Sequence, residues 1–187
     1  MNVIFLDFDG VLFCLRDEDN ELERRIALLS KLCKETDSKV VISAAGKKFI
    51  SEKTGRPYSH SGKWLKDIYL LFDKYDVECI GRTPNVERRF SDIYEPTMWK
   101  EDEIRKYLFN HPEVDHYCVI DDDDCAIDDD YSNSDLNKVR NHLVTTVYYS
   151  RNHEEVGLLE KHIDEAKEAM KIDNEVKRFA LKRRSVK

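Results

Sequence analysis

Apolar and polar positions along the chain follow two alternating patterns. Short runs are apolar at every position: Val3, Ile4, Phe5 and Leu6; Val40, Val41 and Ile42 within 39–43; Tyr117, Cys118, Val119 and Ile120 within 116–120. A strand buried on both faces needs such a run. Between these runs the apolar residues recur every three or four positions. Leu22, Ile26, Leu29 and Leu32 predict a helix over 20–33, with Asp19 or Asn20 as its cap. Trp64, Ile68, Leu71 and Phe72 predict a second over 62–75, and Ile104, Tyr107 and Leu108 a third over 101–110, stopped by His111 and Pro112. A further strand is expected over 77–80, ended by Gly81, and a fifth over 142–149. Strands separated by helices predict right-handed crossovers and an α/β, Rossmann-like, doubly wound, mainly parallel sheet. In such sheets the site lies beyond the carboxyl ends of the strands. Val156, Leu159, Ile163, Ala166 and Met170 then predict a C-terminal helix that packs back on the domain or on a partner. The chain thus divides into a domain at 1–151 and a helical extension at 152–187.

Composition changes this picture little, and charge changes it more. A chain of 187 residues can bury a core without staples. No apolar stretch approaches the roughly 18 residues of a membrane span, and an acid at position 7 with no basic lead reads against a secretory signal. Five cysteines without CxxC spacing fit free thiols in a reducing cytoplasm and offer no zinc site. The net charge of −7 suggests a poor nucleic-acid binder. Yet 121–130 alone holds seven aspartates and no base, which equals the entire acid surplus. The last eleven residues carry six basic residues and no acid. A solvated helix end accounts for them; contact with an anionic membrane, a nucleic acid or a partner is the alternative.

The first strand runs directly into Asp7, Phe8, Asp9, Gly10 and Val11. Two carboxylates spaced i and i+2 at a buried strand tip converge on one cation, and Gly10 allows a sharp turn after them. This segment resembles the DxDGV/T signature of the haloacid dehalogenase (HAD) superfamily, most of whose members are magnesium-dependent phosphatases. The resemblance implies that Asp7 is the nucleophile, becoming an aspartyl-phosphate, and that Asp9 is the general acid/base, its backbone carbonyl a metal ligand. It implies Mg2+ as the cofactor.

The remaining motifs of that family have counterparts in order. Ser43, ending the second strand, matches the residue that hydrogen-bonds the phosphoryl group; Lys47 nearby is a candidate auxiliary contact. Lys100, opening the third helix, matches the cation that neutralises the phosphate, with Lys63, Lys66 and Arg82 as competitors. The strand 116–120 ends in Asp121, Asp122, Asp123 and Asp124. The resemblance implies Asp122 as the direct magnesium ligand with Asp121 behind it, and leaves that order open. An EF-hand does not fit there, since the sixth position lacks Gly and the twelfth lacks Glu.

The gaps from Asp9 to Ser43 and from Ser43 to Lys100 are filled by the expected elements, so no cap domain is expected. The site should be open, shaded by a flap at 12–20 and a loop at 82–98, and should accept a phosphate on a macromolecule. Gly81 to Pro84, Lys100 to Ile104, His111 to Val114 and Val119 to Asp123 narrow the likeness to the capless HAD domains found in RNA-repair multidomain proteins and related stand-alone bacterial proteins. The loop 87–100 mixes Arg88, Arg89, Phe90, Tyr94 and Trp99 and reads as a packed loop, a peptide-binding rim or a base-stacking one. No basic stretch with interleaved aromatics stands out beside the motifs, so a phosphoprotein is favoured over a nucleic acid, with phosphotyrosine first. The alternatives are a phosphatase of nucleic-acid 3′ or 5′ ends and a non-catalytic phosphate- or metal-binding module. A receiver domain fits poorly, since its phosphorylated Asp would stand where Gly81 does. The chain is also compatible with being the catalytic part of a longer protein.

Overall fold

A computed structural model describes residues 1–15, 17–18, 20–86, 99–123, 139–150 and 155–174. Five strands form one parallel sheet: β1 (Asn2–Leu6), β2 (Ser38–Ile42), β3 (Cys79–Arg82), β4 (His116–Asp121) and β5 (Leu143–Thr145), in the spatial order β3-β2-β1-β4-β5. The helices are α1 (Glu21–Thr36), α2 (Lys63–Tyr75), α3 (Trp99–Asn110) and α4 (Glu160–Ala169), with short 3-10 turns at Ala45–Phe49 and Val139–His142. The chain winds from β1 outward through β2 to β3, then crosses to the other side of β1 for β4 and β5. The direction of winding therefore reverses at β1, where a doubly wound sheet opens a crevice at its carboxyl edge.

Successive side chains of a strand point to opposite faces, and both faces of this sheet are covered. Ile4, Leu6, Val40, Ile42, Cys118 and Ile120 pack against Ile26 and Leu29 of α1, Ile68 of α2, and Ile163 and Ala166 of α4. Their neighbours Val3, Phe5, Val41, Tyr117 and Val119 pack on Ile104 and Leu108 of α3. This two-faced burial is why the central strands read as uninterrupted apolar runs. Among the described residues no cap domain interrupts the fold, and no helix is long and apolar enough to cross a membrane.

Several boundaries differ from expectation. β3 runs two residues later than 77–80 and contains Gly81, because it follows a register shift opposite Val40 and Val41 of β2. β5 stops at Thr145; the apolar residues that prolong its pattern, Val147 and Tyr148, are exposed. Asn20 adopts a left-handed backbone and makes no capping side-chain bond. Val156 and Leu159 precede α4 rather than lie within it. The rim residues expected between 87 and 98, the aspartates beyond Asp123 and the basic end after Glu175 lie outside the described residues.

Candidate active site

Strand register builds the site. Leu6 pairs with Ile42 on one side and Ile120 on the other, while Ile42 pairs with Arg82 and Asp121 with Thr145. One step further along each strand, Thr83, Ser43, Asp7 and Asp121 form a single row across the carboxyl edge. Backbone bonds hold the row: Asp7 N–H to Ile120 O at 3.0 Å, Ser43 N–H to Leu6 O at 2.9 Å, Thr83 N–H to Ile42 O at 2.9 Å.

Asp7 and Asp121 are buried, and isolated buried carboxylates are costly. Their partner is Lys100, in the first turn of α3, whose Nζ donates to Asp7 Oδ2 at 2.8 Å and to Asp121 Oδ2 at 2.5 Å. The second Asp7 oxygen accepts the Phe8 N–H at 2.7 Å, and the second Asp121 oxygen the Asp123 N–H at 3.1 Å. Burial alone would lower the Lys100 pKa, but the carboxylates of Asp7 and Asp121 outweigh it and hold the ammonium well above its ordinary value. Burial and then the charge of Asp7 push Asp121 and Asp122 upward. Lys63 and Lys66 are instead exposed on α2. Arg82 spends its donors on Ile50 O, Thr83 O and Glu52.

Ligand atoms of Asp7, Asp121 and Asp122 lie within 4.8 Å of one another. Three carboxylates around one ammonium leave an excess of negative charge, and an all-oxygen donor set suits a hard divalent cation such as magnesium. These residues therefore fit the metal that the resemblance implies. Asp9 stands apart from the trio, exposed on the loop after β1, its pKa raised by partial burial and then by Asp7. Gly10 completes that loop with φ +72°, and a Cβ there would lie 2.1 Å from Asp122 Cγ. Only glycine tolerates both conditions. The Ser43 hydroxyl is buried and has no hydrogen-bond partner among the described residues, so an arriving ligand or water can supply one.

The profile of a family described as "HAD domain in Swiss Army Knife RNA repair proteins" matches residues 3–163. The chain belongs to that family. No curated protein and no solved structure matches it. Within this HAD domain the match takes in every element from β1 to β5 and runs into α4.

Some contacts at the site have no clear signal in the sequence. Lys47 is buried against Glu103 of α3, with Thr83 Oγ1 3.1 Å away, so the expected auxiliary phosphate contact is occupied by a neighbouring acid. Burial lowers its pKa despite Glu103. Thr146 Oγ1 donates to Gly10 O at 2.7 Å, tying the loop after β1 to the end of β5. Arg25, fully buried, pairs with Asp17 at 2.7 Å and donates to Leu12 O at 3.0 Å and to Val156 O at 3.5 Å. It anchors the flap from below. Beside the site, 47–66 contains six basic residues, one acid, and Phe49, Tyr58, His60 and Trp64, a basic stretch with interleaved aromatics contrary to the expectation from sequence.

Proposed function

We propose that the protein is a magnesium-dependent phosphomonoester hydrolase acting through an aspartyl-phosphate on Asp7, and that its substrate is a phosphorylated nucleic-acid end. The row Thr83, Ser43, Asp7 and Asp121, with Lys100 bridging its two acids, carries the reading. It supplies a nucleophile, a cation and a buried hydroxyl with no partner among the described residues, from four neighbouring strand ends and one helix start. Bound between Asp7, Asp121 and Asp122, magnesium would offset the repulsion between carboxylate and phosphate. An Asp7 oxygen attacks phosphorus, and the bond from phosphorus to the leaving oxygen breaks as Asp9 protonates that oxygen. Asp9 then takes a proton from water, whose oxygen attacks phosphorus and releases phosphate from Asp7. Lys100 and the Ser43 hydroxyl stabilise the negative charge gathered on the phosphoryl oxygens.

The family description, RNA-repair proteins, supports a nucleic-acid end over the phosphoprotein favoured from sequence. That preference rests on the want of a basic stretch with interleaved aromatics beside the motifs, and 47–66 is such a stretch; its phosphotyrosine choice rests on a rim whose residues 87–98 lie outside the described residues. Cys14, Cys33, Cys79 and Cys118 are free thiols, which supports a reducing cytoplasm as the place of action. The test is a panel of 3′- and 5′-phosphorylated oligonucleotides beside phosphotyrosine, phosphoserine and phosphothreonine peptides, with magnesium or with chelator. Turnover of oligonucleotide ends in magnesium is expected. Turnover of peptides alone would move the substrate back to protein, and no turnover of any phosphomonoester would sink the enzyme reading.

A further inference from the structure

The segment between Ser43 and the first turn of α2 has no part in the chemistry above, yet it borders the nucleophile loop. Trp64, in the first turn of α2, meets Phe8 edge-on with ring centroids 6.0 Å apart and Phe13 at 6.3 Å. Its ring also closes over the backbone at Gly46, where a Cβ would lie 2.9 Å away. Phe8 is the residue after Asp7, so this indole packs on the loop that carries the nucleophile. It is nevertheless 43% exposed. Tyr58, 40% exposed, stacks flat on exposed His60 at 5.5 Å and 6°. The fold pins this arch through Tyr58 N–H to Phe49 O and Ser61 Oγ to Phe49 O, so the rings are presented on a fixed frame.

Cations neighbour these rings along the chain. Lys48, Lys63 and Lys66 are exposed. Lys63 and Lys66 form no ion pair among the described residues. Spaced i and i+3, they share one face of α2, with Trp64 between them in sequence. Lys48 lies over the Phe49 ring at 5.2 Å. The stretch 47–66 has a single acid, Glu52, and Asp67, four residues after Lys63, forms no ion pair with Lys63 or Lys66.

We propose that this shoulder holds single-stranded nucleic acid and leads its phosphorylated end to Asp7. Trp64 is the stacking platform for the base beside the reacting phosphate, and Lys63 and Lys66 hold the backbone phosphates that follow. Alternating rings and cations match the alternating bases and phosphates of a single strand. A phosphopeptide brings one phosphate, which Lys100 already meets, and leaves the other cations without a partner. The inference rests on the hydrolase reading only for the direction of the strand.

The test reads binding apart from turnover. In the full chain carrying Asp7→Asn, which leaves the end unconsumed, anisotropy of a fluorescein-labelled 12-nucleotide RNA with a 3′-phosphate is followed against salt. Trp64→Ala is expected to weaken binding about 10-fold, a middling loss for one base stack, and Trp64→Phe to recover most of it. Lys63→Gln with Lys66→Gln, both exposed and free of packing roles, should cut the slope of log K against log salt by roughly 1.4, two single-strand contacts. Melting curves establish that each variant is folded. Unchanged affinity and slope in the folded lysine variant overturn the proposal, as does a phosphotyrosine peptide that binds more tightly and weakens with the same substitutions. Wild-type protein that cleaves no phosphomonoester, but whose RNA binding fails in these variants, supports the shoulder while ending the hydrolase reading.

Discussion

The two flanks of the site carry opposite charge and are built by opposite means. Toward β4, Asp7, Asp121 and Asp122 are gathered by strand register, the first two buried and sharing one ammonium. Toward α2, Lys48, Lys63 and Lys66 stand in solvent on a segment that also exposes Tyr58, His60 and Trp64. Buried charges must be matched and so fix a geometry; solvated ones cost little and attract over a distance. The acidic flank is suited to bond making and breaking, and the basic flank to capture. Substitutions on the first should lower kcat, while those on the second should raise KM.

Asp7→Asn keeps the shape of the side chain and removes the nucleophile. Its kcat on p-nitrophenyl phosphate with magnesium should fall on the order of 10⁴-fold or more, and activity near wild type would place the chemistry elsewhere. Lys100→Met comes next. It leaves Asp7 and Asp121 without their cation, so kcat should drop about 10³-fold and chemical unfolding should show a loss of about 3–5 kcal/mol. Added magnesium should restore part of that stability by binding the same carboxylates, and chelator should remove the gain; equal midpoints with and without the metal would argue against a site there. Ser43→Ala separates reaction from stability most sharply. Its hydroxyl has no partner to lose, so the denaturation midpoint should hold while kcat/KM falls on the order of 10²-fold.

The smallest effect lies away from both flanks and serves as a control. His162 of α4 is buried, and its Nδ1 accepts the Leu159 N–H at 3.0 Å. Burial, then Lys161, pushes its pKa down to about 4. An unfolded histidine titrates near 6.5, so as pH falls the unfolded chain binds the proton first. Stability is therefore complete above about pH 6.5 and is lost progressively toward pH 4. Comparing unfolding midpoints at pH 7.5 and 5 in wild type and His162→Gln checks this; the variant should show the smaller decline.

What could be read in advance depended on how local the cause was. β1, β2 and β4 are covered on both faces, so their apolar runs announced them, and the motif residues follow at their ends. β3 is an edge strand, placed by pairing with β2 through a register shift, and its own residues carry no mark of that. The run after β5 is apolar but turns outward, which periodicity does not distinguish from a strand. Lys47 looked available for phosphate because nothing nearby in sequence shows Glu103 reaching it from α3. The basic shoulder was visible as composition, yet its place beside the nucleophile loop depends on the tertiary contact between Trp64 and Phe8.

Arg25 bears on how the domain is cut and joined. From α1 it grips Leu12 and Asp17 of the flap and the carbonyl of Val156, and Gly157 follows with φ +71°, where a Cβ would lie 2.4 Å from Arg25 Nε. Leu158 N–H adds a bond to Val11 O at 3.0 Å. The chain beyond β5 is thus a brace for the loop that carries Asp9 and Gly10. A fragment ended at residue 151 should lose the alignment of that loop and, with α4, part of the cover on one sheet face. A fusion joint placed ahead of Val156 should break this brace without touching a catalytic residue.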